Sequence, residues 1–230
     1  MKIDFHVHTH FSYDSLMKPA KILQIAKKRG LDGIVICDHN TIQGGIETQK
    51  LNKDKNFHVI VGAEIATDAG DITGIFLTRE IESRDFNTVI EEIRAQNGKV
   101  ILNHPYKGHD LTKVDMSKID FVEGYNSRLS MEDNQKAHEL AKAYTIPMTA
   151  GSDAHGYAEI GNSKTTVNDI VTLIPLEHEY QRTKQLYVTF SQYIKAIKRR
   201  NSKIFVSATI MLIKYTSKQC ARAIKKAFKS

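Results

Sequence analysis

The chain has 230 residues, 41% of them apolar and 26% charged, enough for one sizeable domain or a domain with an appendage. Its two cysteines, Cys37 and Cys220, are far apart in dissimilar contexts, which excludes a disulfide framework and a cysteine-built zinc site. The formal charge is +7, yet residues 191–230 hold 11 Lys or Arg and no Asp or Glu, while residues 1–190 hold 22 basic and 26 acidic side chains, so the positive excess belongs to the tail.

The N-terminus enters a strand-like pattern at once, so no signal peptide is expected and the protein is expected to be cytoplasmic. The longest uncharged apolar run near the C-terminus, IFVSATIMLI at 204–213, is half a membrane span.

The first element lies in MKIDFHVHTHFSYDS. Ile3, Phe5 and Val7 alternate with Asp4, His6 and His8, the period of a β-strand, so the apolar set is expected on one face and the polar set on the other. Two imidazoles on one strand face can grip one metal ion, although His-x-His alone also arises by chance. Asp14 follows close behind. Residues 18–29 predict a helix closed by Gly30. GIVIC then runs into Asp38-His39, and residues 41–51 predict a second helix. FHVIVGA runs into Glu64. A third helix is predicted over 86–96, closed by Gly98, before GKVIL runs into Asn103-His104-Pro105. A fourth is predicted over 131–144, before IPMTAGS runs into Asp153-Ala154-His155. Residues 162–185 carry no clear pattern.

Strands alternating with helices predict an α/β protein of parallel βα units. In a barrel of such units the strand C-terminal ends gather on one face. His6, His8, Asp14, His39, Glu64, His104, Asp153 and His155 would then converge. Imidazole and carboxylate donors without thiolate suit Zn²⁺, Mn²⁺ or Fe²⁺. Eight donors are too many for one ion, and a bridging carboxylate such as Glu64 could join two or three. Clusters of that kind hydrolyse phosphate esters by binding phosphate oxygens and activating water.

HVHTHFSYDS at 6–15, CDHNT at 37–41, GAEI at 62–65, NHP at 103–105 and GSDAH at 151–155 follow one another in an order that resembles the PHP superfamily (polymerase and histidinol phosphatase). The resemblance covers residues 1 to about 161. It implies a distorted seven-stranded TIM-like (β/α) barrel and a trinuclear metal centre. One ion would take His6, His8, Glu64 and Asp153; a second would share Glu64 and take His104; a third would take Asp14, His39 and His155. The family often has a histidine where this chain has Asp71, so Asp71 is a further candidate ligand, for the second ion, and full occupancy of three metals is an open point. VEGYNSR at 122–128 looks like the family's substrate-facing strand end. Arg128 is then a candidate phosphate clamp, since a guanidinium matches phosphate oxygens in a bidentate way. Asn126 and Lys107 are further candidates for substrate contact. Asp4 and Asp38 are expected to orient imidazoles.

The expectation is a barrel over residues 1–190 with a basic C-terminal segment, 191–230, packed on it or extending it. The expected activity is a metal-dependent phosphoesterase carrying two or three divalent ions. A metal-activated hydroxide would attack a small phosphorylated substrate, either a phosphomonoester or a nucleotide phosphate. An exonuclease on short RNA or DNA ends and a non-catalytic metal-stabilised module are the alternatives. The chain is too short to contain a polymerase.

Overall fold

The computed structural model describes residues 1–227. Nine strands form one sheet: β1 (Lys2–Val7), β2 (Gly33–His39), β3 (His58–Thr67), β4 (Gly70–Ile75), β5 (Lys99–Leu102), β6 (Phe121–Asn126), β7 (Met148–Gly151), β8 (Ser163–Val167) and β9 (Pro175–Tyr180). Six helices accompany them: α1 (Pro19–Lys28), α2 (Gln43–Leu51), α3 (Phe86–Arg94), α4 (Met131–Ala143), α5 (Gln185–Lys198) and α6 (Ser202–Ala227). The sheet runs β7-β6-β5-β4-β3-β2-β1-β8-β9. It curls until Val7 of β1 pairs in parallel with Ala154, just past β7, and His8 N donates to the Ala154 carbonyl at 3.0 Å. Strands β1–β7 thus form a nearly closed α/β barrel. The strand count exceeds seven because residues 163–180 add an antiparallel hairpin, β8–β9, to the N-terminal half of β1.

Not every strand is parallel. Strand β4 is antiparallel to both β3 and β5, because only Asp68 and Ala69 separate it from β3 and two residues cannot make a crossover. No α-helix follows β5; two short 3-10 turns carry the chain to β6.

The first four helices fall where the patterns place them. Pro19 opens α1 with a φ already suited to a helix. Asp85 and Ser130 cap α3 and α4 by accepting from Thr88 N and Asp133 N. Gly30 takes the left-handed conformation after α1, but after α3 that conformation falls on Asn97. Gly98 serves a different need: a side chain there would press on Ile93 and on the Ile75 carbonyl.

Strand β1 carries a bulge between Asp4 and Val7, where two residues, Phe5 and His6, face one, Val35, on β2. The simple alternation therefore breaks. Ile3 and Phe5 pack inside the barrel with Val35, Cys37, Ile60, Ile101 and Phe121. Val7 packs outside, with Ile34, Ile36 and the α1 residues Ile22, Leu23 and Ala26. The extra residue turns His6 and His8 towards the barrel mouth above that inner core. A third apolar layer, including Ile65, Ile72, Ile90, Ile93 and Val122, joins α3 and α4 to the other side of the sheet.

Helix α5 runs through residue 190, and α6 follows it after a short turn. No described helix is long and apolar enough to cross a membrane.

Candidate metal centre

Five strand ends and one loop deliver the candidate donors to the same mouth. His6 and His8 come from β1 and its extension, His39 from the end of β2, Glu64 from β3, and His104 from the turn after β5. Asp153 and His155 follow β7, and Asp14 comes from the loop before α1. His104 and Asp153 hold positive φ angles of 26° and 51°. Such conformations cost about 1–3 kcal/mol and persist only where the surroundings enforce them. Seven of the eight are buried, and His39 is half-buried.

The atoms converge closely. His6 Nε2 and His8 Nε2 are 3.1 Å apart, and each lies 3.5 Å from Glu64 Oε2. Asp153 Oδ1 lies 3.6 Å from His6 Nε2 and 3.3 Å from His8 Nε2. Four ligands about 2.0–2.1 Å from a tetrahedral ion are spaced at about 3.4 Å, so this quartet matches the edges of a tetrahedron. The other Glu64 oxygen, Oε1, lies 2.9 Å from His104 Nε2, and Asp71 offers a carboxylate oxygen within 4.8 Å of a donor atom on each of these residues. His39 bridges towards a third cluster: its Nδ1 is 3.0 Å from Glu64 Oε2 and its Nε2 is 3.2 Å from Asp14 Oδ2. Asp14 Oδ1 lies 3.2 Å from His155 Nε2 and, although buried, has no hydrogen-bond partner. A buried carboxylate oxygen without a donor fits a cation. The donor set and spacing therefore fit divalent ions.

The electrostatics agree. Burial alone would raise the Glu64 carboxyl, but His39, His6 and His104 outweigh it and hold the group well below the usual range. Burial is likewise outweighed at Asp153 by His6, His8 and His155, and at Asp14 by His155 and His39. Burial and the neighbouring imidazoles His155, His39 and His6 push His8 down to about 3. His39 goes the other way, to about 10, because Glu64 and Asp14 outweigh its burial.

A family model for the PHP domain matches residues 4–206. The chain belongs to the PHP domain family. Two uncharacterized proteins of Methanocaldococcus jannaschii are related to it. MJ1587 is 36% identical over 143 residues, 55% of this chain and 84% of its own length. MJ0417 is 35% identical over 175 residues, 71% of this chain and 69% of its own. Among solved structures, a two-domain protein of Bacteroides vulgatus containing a predicted PHP-like metal-dependent phosphoesterase superposes with a TM-score of 0.65. It shares 19% identity over 83% of this chain and 68% of that one.

The PHP site is held by a second layer that fixes which nitrogen of each ring is bare. Glu123 Oε1 accepts from His6 Nδ1 at 2.8 Å, leaving Nε2 for a cation. Ser12 Oγ donates to Asp38 at 2.8 Å and so accepts from His8 Nδ1 at 3.0 Å. Asp38 thus orients an imidazole through Ser12. Asp4 does not: it accepts from Ser152 N, Ser152 Oγ and Gly161 N and pins the turn that presents Asp153. Gly151 is required beside it, because a side chain there would collide with His6 and Glu123.

The candidates for substrate contact are placed differently. Lys107 is exposed on the loop after β5. Asn126 is buried and donates to Glu123 Oε2 and Asp153 Oδ2. The Arg128 side chain is 7% exposed, with Nε on Glu159 and Nη2 on Ser191 Oγ at 2.7 Å. Sequence reasoning passed over Glu123 and Glu159; the one available signal was a lone carboxylate inside the apolar run FVEGYN. It also missed that α5 reaches the mouth. Lys198 Nζ donates to the carbonyls of His10, Ser12 and Ser15 at 2.7–2.8 Å. Arg199 lies 3.9 Å over the Tyr13 ring, which stacks on His39 at 4.3 Å.

Proposed function

We propose that this PHP domain is a metal-dependent phosphoesterase acting on a phosphomonoester or a nucleotide phosphate. The observation that carries the reading is Glu64, whose two oxygens face two different histidine groups. Oε2 meets His6, His8 and His39, while Oε1 meets His104. One carboxylate is thus disposed to join two cations.

In this reading His6, His8, Glu64 and Asp153 hold one ion, Glu64 and His104 with Asp71 a second, and Asp14, His39 and His155 a third. Divalent zinc, manganese or iron held there would withdraw charge from a phosphoryl oxygen and activate a water. The chain's own residues do the rest. Glu123 and the Ser12–Asp38 pair keep the Nε2 lone pairs of His6 and His8 directed into the cluster. The carbonyl of Asp153, 2.8 Å from His155 Nδ1, does the same for His155. The buried carboxylates Glu64, Asp14 and Asp153 would offset only part of the ions' charge, so a phosphate dianion would still be attracted, and with an activated water no side-chain nucleophile would be needed.

The test is a panel of phosphomonoesters and nucleotides offered to protein stripped of metal and reloaded with Mn²⁺, Zn²⁺ or Fe²⁺. Metal-dependent phosphate release supports the reading. No release from any substrate with any of the three ions would overturn it.

A further inference from the structure

A cavity of about 490 Å³ lies between the β9–α5 connection and α6. Arg182 and Lys184 line it from the connection, and Lys214 and Lys218 from α6. These are four cations, and no carboxylate lines the cavity. All four side chains are exposed. Tyr215 and Met211 form an aromatic and apolar floor.

A second cavity, about 480 Å³, continues from the first and shares Arg182 and Lys184 with it. Arg29 and Lys164 line this continuation, with Tyr187 beside them, but Arg29 donates to the Ile160 and Ala158 carbonyls and Lys164 pairs with Glu179 at 2.7 Å, which leaves the four cations of the first cavity as the ones open to a ligand. The Tyr187 carbonyl lies 3.5 Å from Arg128 Nη2, and Arg128 Nη1 is 2.9 Å from His155 Nδ1. The groove therefore ends one residue layer from the candidate metal centre. Its α6 wall from Met211 onward lies beyond the residues matched by the family model.

We propose that this groove binds the sugar–phosphate backbone of a single-stranded nucleic acid. The four open cations are divided between two walls, the β9–α5 connection and α6, which suits an extended polyanion lying between them better than one phosphate group. A tyrosine lies in each cavity, and a positive groove interleaved with aromatic rings is how proteins hold single strands without reading sequence. The groove is concave, so a flat bilayer cannot enter it. The proposal deepens the nucleotide-phosphate reading of the metal centre, but binding needs no bond cleavage and can be measured without it.

The experiment is fluorescence anisotropy of a labelled twelve-nucleotide single strand with the metal-stripped, full-length protein at 50 and 200 mM salt. Each neutralised phosphate of a single strand lowers log K by about 0.7 per decade of salt. Four engaged cations then predict about fifty-fold weaker binding at the higher salt. The double variant Arg182→Gln with Lys184→Gln should reduce that ratio to about seven-fold, and Lys214→Gln with Lys218→Gln should do the same. Both variants should melt like the parent and, once reloaded with metal, should hydrolyse a nitrophenyl phosphate at the parent rate. That control separates failure of the groove from failure of the phosphoesterase reading. Three results would each overturn the groove: no strand binding at 50 mM salt, an unchanged salt ratio in both variants, or binding to phosphatidylserine vesicles without binding to the strand.

Discussion

The Arg128 guanidinium and the His155 ring meet at 2.9 Å, Nη1 to Nδ1, while Glu159 holds Arg128 Nε with one oxygen and His155 N with the other. A guanidinium only donates, and His155 Nδ1 is also 2.8 Å from the Asp153 carbonyl, which only accepts. The ring satisfies one of the two at a time. With Nδ1 protonated towards the carbonyl, Nε2 faces Asp14 bare. In that tautomer Nδ1 offers Arg128 no acceptor, and Arg128 reaches the position formed by Asp14, His39 and His155 through Glu159, which holds both Arg128 Nε and His155 N.

Arg128→Lys should weaken metal binding at that position by about ten- to a hundred-fold, the usual effect of losing a partner behind a ligand. Calorimetric metal titration reads this directly, with KM for a small phosphoester little changed at saturating metal. A phosphate clamp would give the reverse, a raised KM with unaltered metal binding.

Glu64→Gln keeps the shape of the bridging side chain and removes its charge. Turnover should fall by at least a hundred-fold, and one fewer ion should be retained per chain by elemental analysis. The barrel core of Ile3, Phe5, Val35 and Ile60 does not involve Glu64, so the circular dichroism spectrum should be unchanged. Near-normal turnover would remove Glu64 from the bridging role.

Lys198→Met removes the ammonium that gathers three carbonyls of the loop carrying Asp14. A hydrogen bond to a charged group is worth about 1.5–3 kcal/mol, and partial exposure puts this one at the low end, about 1.5 kcal/mol. Denaturant unfolding should show that loss. Metal binding should weaken in the same variant, because Asp14 is held by this loop. Unchanged stability would show that water replaces the ammonium without cost.

Much of this was legible in the sequence, for a physical reason. Each apolar run that ends in a histidine or carboxylate marks a strand end, and a barrel brings such ends together, so seven of the eight candidate donors, all but the loop residue Asp14, could be named from strand ends without coordinates. The α/β class and the first four helices followed from spacing and caps. The bulge in β1 was not legible, because an inserted residue leaves the alternation of Ile3, Phe5 and Val7 intact on paper. The reversed β4 was hidden in the short span between Thr67 and Gly70. The docking of Lys198 on the Asp14 loop joins residues more than 180 positions apart, and no local pattern reports it. The basic C-terminal segment was marked by charge alone, and charge does not report that α5 starts at Gln185 or that it spends Lys198 on the mouth of the site.

Metal uptake should release protons. In the metal-free chain Glu64 and Asp14 outweigh burial and raise His39 to about 10, so its ring is charged at pH 7.5. A ligand must be deprotonated, so binding displaces that proton. His8, lowered to about 3, is already neutral and releases none. The raised His39 value also stabilises the metal-free fold fully below about 6.5, and that contribution is lost as pH rises through about 10. Titration of the stripped protein with Zn²⁺ in weak buffer at pH 7.5 should show acid release, and its Tm should fall between pH 7 and 10. Uptake without acid release would contradict the pairing of His39 with Glu64 and Asp14.

The central claim is that the cluster around Glu64 holds the ions that make this protein a phosphoesterase. The most direct test is phosphate release from one active substrate as metal is added stepwise to stripped protein. The account predicts no release without metal, then a rise that breaks at two or three equivalents of ion per chain. A titration that stays flat through three equivalents, or activity already complete in stripped protein, would contradict it.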